Sequence, residues 1–198
     1  MRDADGYFVV GLLQTSDPQP HLDVIADRRK RHRYLREFRY SSNDSFRVDF
    51  ARSLIEYFAT AEDLGFAAGV VAAGSAGRGV PYATHYRRLI GASGAAASDL
   101  QLHLEVRTSD GTTDRALADA LAPLARVTLE TTRRGSELLQ VADFLAGCIY
   151  GDLTLPGPTG GKAGLIAFLK AQLGVSSFAD RRLAAPGRFR VFGFGPTG

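Results

Sequence analysis

The chain is predicted to be an α/β protein, and three observations carry that expectation. Hydrophobic residues make up 45% and charged residues 23% of its 198 residues, an ordinary globular balance with enough chain to bury a core. Short runs of β-branched and aromatic residues alternate along it with stretches of helical period. No repeat and no linker interrupts this alternation, so a single domain is expected over residues 1–198, with strands joined in a sheet and helices packed on it.

The elements follow in order. GYFVVGLL (6–13) is rich in strand formers and is bounded by Gly6 and the polar segment TSDPQP. HLDVIADRRKRHRYL then reads as a helix, with Leu22, Ile25 and Arg29 at helical spacing. EFRYS (37–41) is short and extended. The run SSNDS offers N-cap side chains for a helix whose buried face is Phe46, Phe50, Leu54, Ile55 and Phe58, reaching about Ala61. FAAGVVAAG (66–74) suits a buried strand, and YATHYRRLIGA after it a helix. QLHLEVR (101–107) alternates as a half-buried strand does and stops at the turn signal TSDGTT. Residues 113–124 form a short helix, RVTLETT (126–132) a strand, 136–151 a helix, 151–163 a flexible loop and 162–173 another helix. RFRVFGF, within the C-terminal tail, is expected as an edge strand.

The net charge is only +3 but it is concentrated. Arg28, Arg29, Lys30, Arg31, Arg33, Arg36 and Arg39 fall in one short block, with Tyr34, Phe38 and Tyr40 interleaved. Such a block suits a polyanion backbone, with the aromatics available for base stacking; a solvated helix face is the plainer alternative, and the two stand level. No apolar run approaches the length of a membrane span and no signal-peptide pattern precedes the first strand, so a cytoplasmic protein is expected. Cys148 is the only cysteine, which excludes an internal disulfide and a thiolate metal cluster. His21, His32, His85 and His103 lack zinc-site spacing. GSAGRG (74–79) and GPTGGK (157–162) lack the Walker and dinucleotide spacings and read as loops, and neither Ser75 nor Ser136 sits in a nucleophile motif.

The segment SELLQVADFLAGCIYGD (136–152) is unusual. On a helical wheel, Leu138, Leu139, Val141, Ala142, Leu145, Ala146, Cys148 and Ile149 fill one half. Ser136, Gln140, Asp143, Gly147 and Tyr150 form a narrow stripe on the other. An exposed face would carry Lys, Glu and Arg; an amide, a carboxylate, a glycine and a phenol look more like the wall of a pocket. Gly147 leaves room there for a ligand or another chain segment. A poorly solvated carboxylate at Asp143 needs a hydrogen bond, a counter-ion or a cation, and a salt bridge to one of the many arginines is the plainer answer.

LLQVADFLAG (138–147) resembles the L-Q-x-A-D-x-x-A-G signature of a bacterial family, domain of unknown function 3800. Two further family motifs occur upstream in the same order: Tyr7-Phe8-Val9-Val10-Gly11, and Glu37-Phe38-Arg39-Tyr40-Ser41. The resemblance covers most of the chain to about Asp152. It implies an RNase H-like mixed sheet with helices on both faces and acidic residues gathered at one edge to bind Mg²⁺ or Mn²⁺. Two such ions about 4 Å apart activate water and stabilise the leaving oxygen in phosphodiester hydrolysis. Glu37 and Asp143 match family positions, with Gln140 orienting Asp143 or a metal-bound water. Glu105, on the HLEVR strand, is a further candidate ligand by position. The family's opening strand, ending D-E-S-G, has only Asp3-Ala4-Asp5-Gly6 as a counterpart, so that strand is expected to be missing or truncated, with Asp3 or Asp5 as substitute ligands.

Two functions are therefore expected. One is a divalent-metal-dependent nuclease acting on DNA or RNA through Glu37, Asp143 and Gln140. The other is a catalytically inactive module that binds nucleic acid or protein in a bacterial defence or mobile-element system. Exposed strand edges beside a missing strand leave pairing with a second copy or a partner protein open.

Overall fold

A computed structural model describes residues 7–40, 46–72, 82–94, 100–105, 111–130, 137–154, 157–180, 184–185 and 188–194. Its strands are β1 (Tyr7–Gln14), β2 (Gly65–Ala72), β3 (Gln101–Glu105), β4 (Arg126–Glu130), β5 (Ala184–Ala185) and β6 (Phe189–Phe194). Its helices are α1 (Pro18–Arg31), α2 (Phe46–Thr60), α3 (Tyr82–Ser93), α4 (Thr112–Leu121), α5 (Glu137–Leu153) and α6 (Gly160–Leu173). The expected α/β class is what forms.

The strands divide into two sheets. One has the order β1-β2-β6-β5, with β1–β2 antiparallel, β2–β6 parallel and β5–β6 antiparallel. The other is a parallel pair, β3–β4, joined through α4 as parallel strands require. The C-terminal strand is thus not a simple edge. Phe189 and Val191 are buried, and β6 runs beside β2 from Phe66↔Phe189 to Val71↔Phe194.

Strand alternation sorts side chains onto two helical layers. Tyr7, Val9 and Leu13 of β1, Phe66, Ala68 and Val70 of β2, and Phe189 and Val191 of β6 join the main core with α1, α2, α5 and α6. Phe8, Val10, Leu12, Ala67, Phe192 and Phe194 face the other way, onto Leu89 and Tyr86 of α3. Helices therefore cover both faces of the larger sheet. Leu12 and Tyr86 also reach the cluster of Ile90, Leu102, Leu104 and Leu121, which links the β3–β4 pair to the rest. α5 crosses closest at Gly11, where a Cβ would stand 3.0 Å from Ala146 Cβ.

The helix ends explain several boundaries. Asp17 caps α1 by accepting from the Gln19 amide at 3.1 Å, and Pro18 begins it, three residues earlier than the apolar spacing suggests. α1 stops at Arg31 because Arg33 takes a left-handed backbone (φ 52°), with the His32 amide bonded to Arg28 O at 2.9 Å and the Tyr34 amide to Arg29 O at 2.9 Å. Gly174 ends α6 in the same conformation, φ 68°. The loop expected over 151–163 is shorter, since α5 continues to Leu153 and α6 begins at Gly160. Asp152 fixes that corner by accepting from Lys170 Nζ at 2.6 Å and from the Phe178 amide at 2.7 Å.

A buried histidine ties the other end of the domain together. His21, 2% exposed, contacts the Tyr57 hydroxyl at 2.7 Å through Nδ1, and Thr15 Oγ1 and Asp63 Oδ2 at 3.0 and 3.1 Å through Nε2. A carboxylate only accepts, so Nε2 donates to Asp63. Partial desolvation by itself raises the Asp63 carboxyl; hydrogen bonds from His21 and a backbone amide, with the His21 charge and Thr15, outweigh it and hold the carboxyl below its ordinary value.

Candidate functional site

The polar stripe of α5 is a seam, and the chain segment 34–40 lies in it. Gln140 Oε1 accepts from the Phe38 backbone amide at 2.7 Å and from Arg29 Nη2 at 2.9 Å. The Phe38 ring packs on Phe144, centroids 4.7 Å apart. Tyr40 fills the space left by two glycines: a Cβ on Gly147 would come within 2.7 Å of Tyr40 Cδ1 and nearer still to Cβ and Cγ, and one on Gly151 would meet the Tyr40 hydroxyl. Lys162 Nζ stands 5.3 Å from the centre of the same ring. The room at Gly147 is therefore taken by the protein's own chain.

Arg29 organises the segment. Its Nε and Nη2 donate to Glu137 Oε2 at 2.9 and 2.7 Å, and its Nη1 donates to the carbonyls of Tyr34 and Arg36 at 3.1 and 2.6 Å. The guanidinium also lies over the Tyr34 and Phe50 rings, 5.4 and 5.1 Å from their centroids. Only 12% of the side chain is exposed. Five donors in a planar fork make five hydrogen bonds to four acceptors here, which a lysine cannot do.

The basic block is thereby divided. Lys30, Arg31, Arg33, Arg36 and Arg39 are exposed, while Arg29 points inward and Arg28 is half-buried over the Tyr57 ring at 5.4 Å. Arg31 pairs with Asp27 at 2.6 Å on the helix surface. The aromatics interleaved with the block are a correction to the stacking expectation: Tyr34, Phe38 and Tyr40 are 3%, 1% and 7% exposed, so no base reaches their faces. Tyr34 and Phe38 pack on Phe50 and Phe144 and Tyr40 on the two glycines, and the pair of anchors, Arg29 and Gln140, holds the segment there.

Of the candidate acids, Asp143 is half-buried one turn after Gln140 and makes no hydrogen bond or ion pair with any described residue. The arginine salt bridge considered as its plainer explanation is absent among the described residues. Glu37 lies on the segment that Gln140 holds, directly before Phe38, and accepts from Arg39 Nη2 at 2.6 Å. Glu105 ends β3, its backbone in register with Glu130; its side chain, and Asp3 and Asp5 entirely, lie outside the described residues. The loop GSAGRG, Ser75 and Ser136 lie outside them as well. A hard divalent cation takes about six oxygens. No group of three or more His, Cys, Asp or Glu gathers among the described residues. Asp143 and Glu37 are the two candidate acids whose side chains are described.

Two features of this region escaped the sequence reading. Glu137 is the counter-ion of Arg29, and nothing local marks it. Leu35, 88% exposed, stands at the tip of the basic turn, one of two large hydrophobic side chains at the described surface, the other being Tyr82 at 39%. A leucine among arginines was a visible signal for it. No helix of the described residues is long and apolar enough to cross a membrane. The chain matches no family model, no curated protein and no solved structure.

Proposed function

We propose that this chain is a nucleic-acid-binding α/β domain of RNase H-like architecture. The observation that carries the binding is the last turn of α1 and the segment after it, where Lys30, Arg31, Arg33 and Arg36 are exposed and the backbone at residues 34 and 36 is held from within by Arg29. Cations on a fixed backbone neutralise phosphates without first ordering the chain that carries them, so the affinity is electrostatic and falls steeply with salt. The architecture is supported by the way the strands divide. β1 pairs only with β2 and β3 only with β4 among the described residues, and the resemblance implies a central first strand. One strand between β1 and β3 would join the two sheets into a single mixed sheet.

A second reading, the divalent-metal-dependent nuclease, is favoured by Asp143. A half-buried carboxylate without a described protein partner is suited to a cation, and the Gln140 anchor holds the Glu37 segment against the same helix. In that reading Asp143 and Glu37 would share Mg²⁺ or Mn²⁺ with Asp3, Asp5 or the Glu105 side chain.

One pair of measurements separates the two. Anisotropy of labelled DNA and RNA against salt tests binding: a log–log slope of about −3 or steeper is expected from four cations, and no binding at low salt refutes the proposal. Calorimetry with Mn²⁺ on wild type and Asp143→Asn tests the metal. Binding that the variant abolishes supports the nuclease, whereas no binding in either protein leaves the inactive module.

A further inference from the structure

We propose that Leu35 is a wedge that enters a base step of duplex nucleic acid while the surrounding cations hold the flanking phosphates. The inference rests on the nucleic-acid reading and adds the mode of contact.

Its first support is the construction of the turn. Arg29 Nη1 holds the carbonyls of residues 34 and 36, the two neighbours of Leu35, at 3.1 and 2.6 Å. The Tyr34 hydroxyl donates to the Glu37 carbonyl at 3.1 Å. Tyr34 is 3% and Phe38 1% exposed, and of the three residues between them Leu35 and Arg36 are directed outward. Leu35, 88% exposed, is therefore presented by a clamped backbone that follows the buried Tyr34.

The second support is what surrounds it. Lys30, Arg31, Arg33 and Arg36 are all exposed, and Arg33 keeps its side chain in a left-handed conformation (φ 52°) that glycine adopts without strain. An aliphatic side chain flanked along the chain by cations suits the way proteins part a base step from the groove: the apolar group replaces lost stacking, and the cations meet the phosphates on either side. An anionic membrane surface offers the same charges, but stable anchoring there takes more than one apolar group, and no second large aliphatic side chain is exposed among the described residues.

The chain contains no tryptophan, so Leu35→Trp places a sole indole reporter at the tip. Because the position is exposed, its melting curve should match wild type, as should that of Leu35→Ala. Titrated with a short A/T-rich duplex, the indole emission should be quenched by half or more through stacking. Leu35→Ala should bind the duplex about tenfold more weakly, with an unchanged salt slope, because only an apolar contact has gone. If wild type binds the duplex but the indole is not quenched and Leu35→Ala binds equally well, the wedge is refuted and the nucleic-acid reading stands. If wild type binds no duplex at low salt, both fail. A blue-shifted, brighter emission with phosphatidylserine–phosphatidylcholine vesicles, and no response to duplex, overturns the wedge in favour of a membrane contact.

Discussion

Replacing a mid-helix glycine with alanine normally stabilises a helix by about 1 kcal/mol, and at Gly147 the sign should reverse. The alanine methyl would fall on Tyr40, within 2.7 Å of Cδ1 and nearer to Cγ and Cβ, at the stem of the side chain where rotation brings no relief. Tyr40 is 7% exposed, so driving it off α5 forfeits most of the burial of an aromatic ring, about 2–3 kcal/mol, together with the Lys162 contact at roughly 0.5 kcal/mol. After the gain in helix propensity, Gly147→Ala should destabilise the domain by about 2 kcal/mol. Urea denaturation followed by circular dichroism measures this, with an unchanged m-value showing that the fold itself is intact. In a Tyr40→Gly background the same alanine should instead stabilise by about 1 kcal/mol, because nothing remains for the methyl to strike. A stabilising Gly147→Ala in the wild-type background would falsify the packing of Tyr40 against α5. The variant also bears on function: a displaced Tyr40 loosens Glu37 and Arg39, so any Mn²⁺ binding seen in wild type should weaken with it.

Arg29→Met should cost about 2–3 kcal/mol, since it strands the carbonyls of Tyr34 and Arg36 and removes a charge-assisted pair, the partly exposed Glu137 moderating the loss; a cost below about 0.5 kcal/mol in urea melts would refute its role as the anchor. Arg33→Gly should raise stability by about 1 kcal/mol by relieving the left-handed backbone while lowering the salt slope of nucleic-acid binding by about 1, so that thermal melts and salt titrations move in opposite senses. Burial, and then the charge of Arg88, hold His85 below the ordinary histidine value. The unfolded chain binds that proton below about pH 6.5 and the folded protein does not, so stability should be flat above this pH and fall below it until the folded value is passed; His85→Leu should remove this part of the slope in pH-dependent urea melts.

The sequence made the element order readable because each element announces itself locally. The alternation of QLHLE, the spacing of Phe50, Leu54, Ile55 and Phe58, and the apolar half of α5 all depend on neighbours a few residues away. The polar stripe on α5 was readable in the same way, down to the vacancy at Gly147. What filled the vacancy was not, because Tyr40 reaches it from a distant part of the chain. EFRY looks like a strand by composition, yet its amide bond goes to a glutamine side chain, so no ladder forms. Nor does local pattern show that β1 and β3 belong to separate sheets, or that β6 settles beside β2, since sheet partners are chosen by long-range packing.

The basic block shows how charge and position must be read together. Seven like charges in one run look equivalent by composition, but helical period already distinguished one of them: Arg29 follows Ile25 by one turn on the face that α1 buries. A guanidinium there is costly unless every donor is met, and Glu137, Gln140 and two carbonyls meet them. That single inward arginine sets the outward pose of its neighbours. It settles Tyr34 and Phe38 into the core and lifts Leu35 into solvent, so the one inward guanidinium decides how the exposed ones are presented.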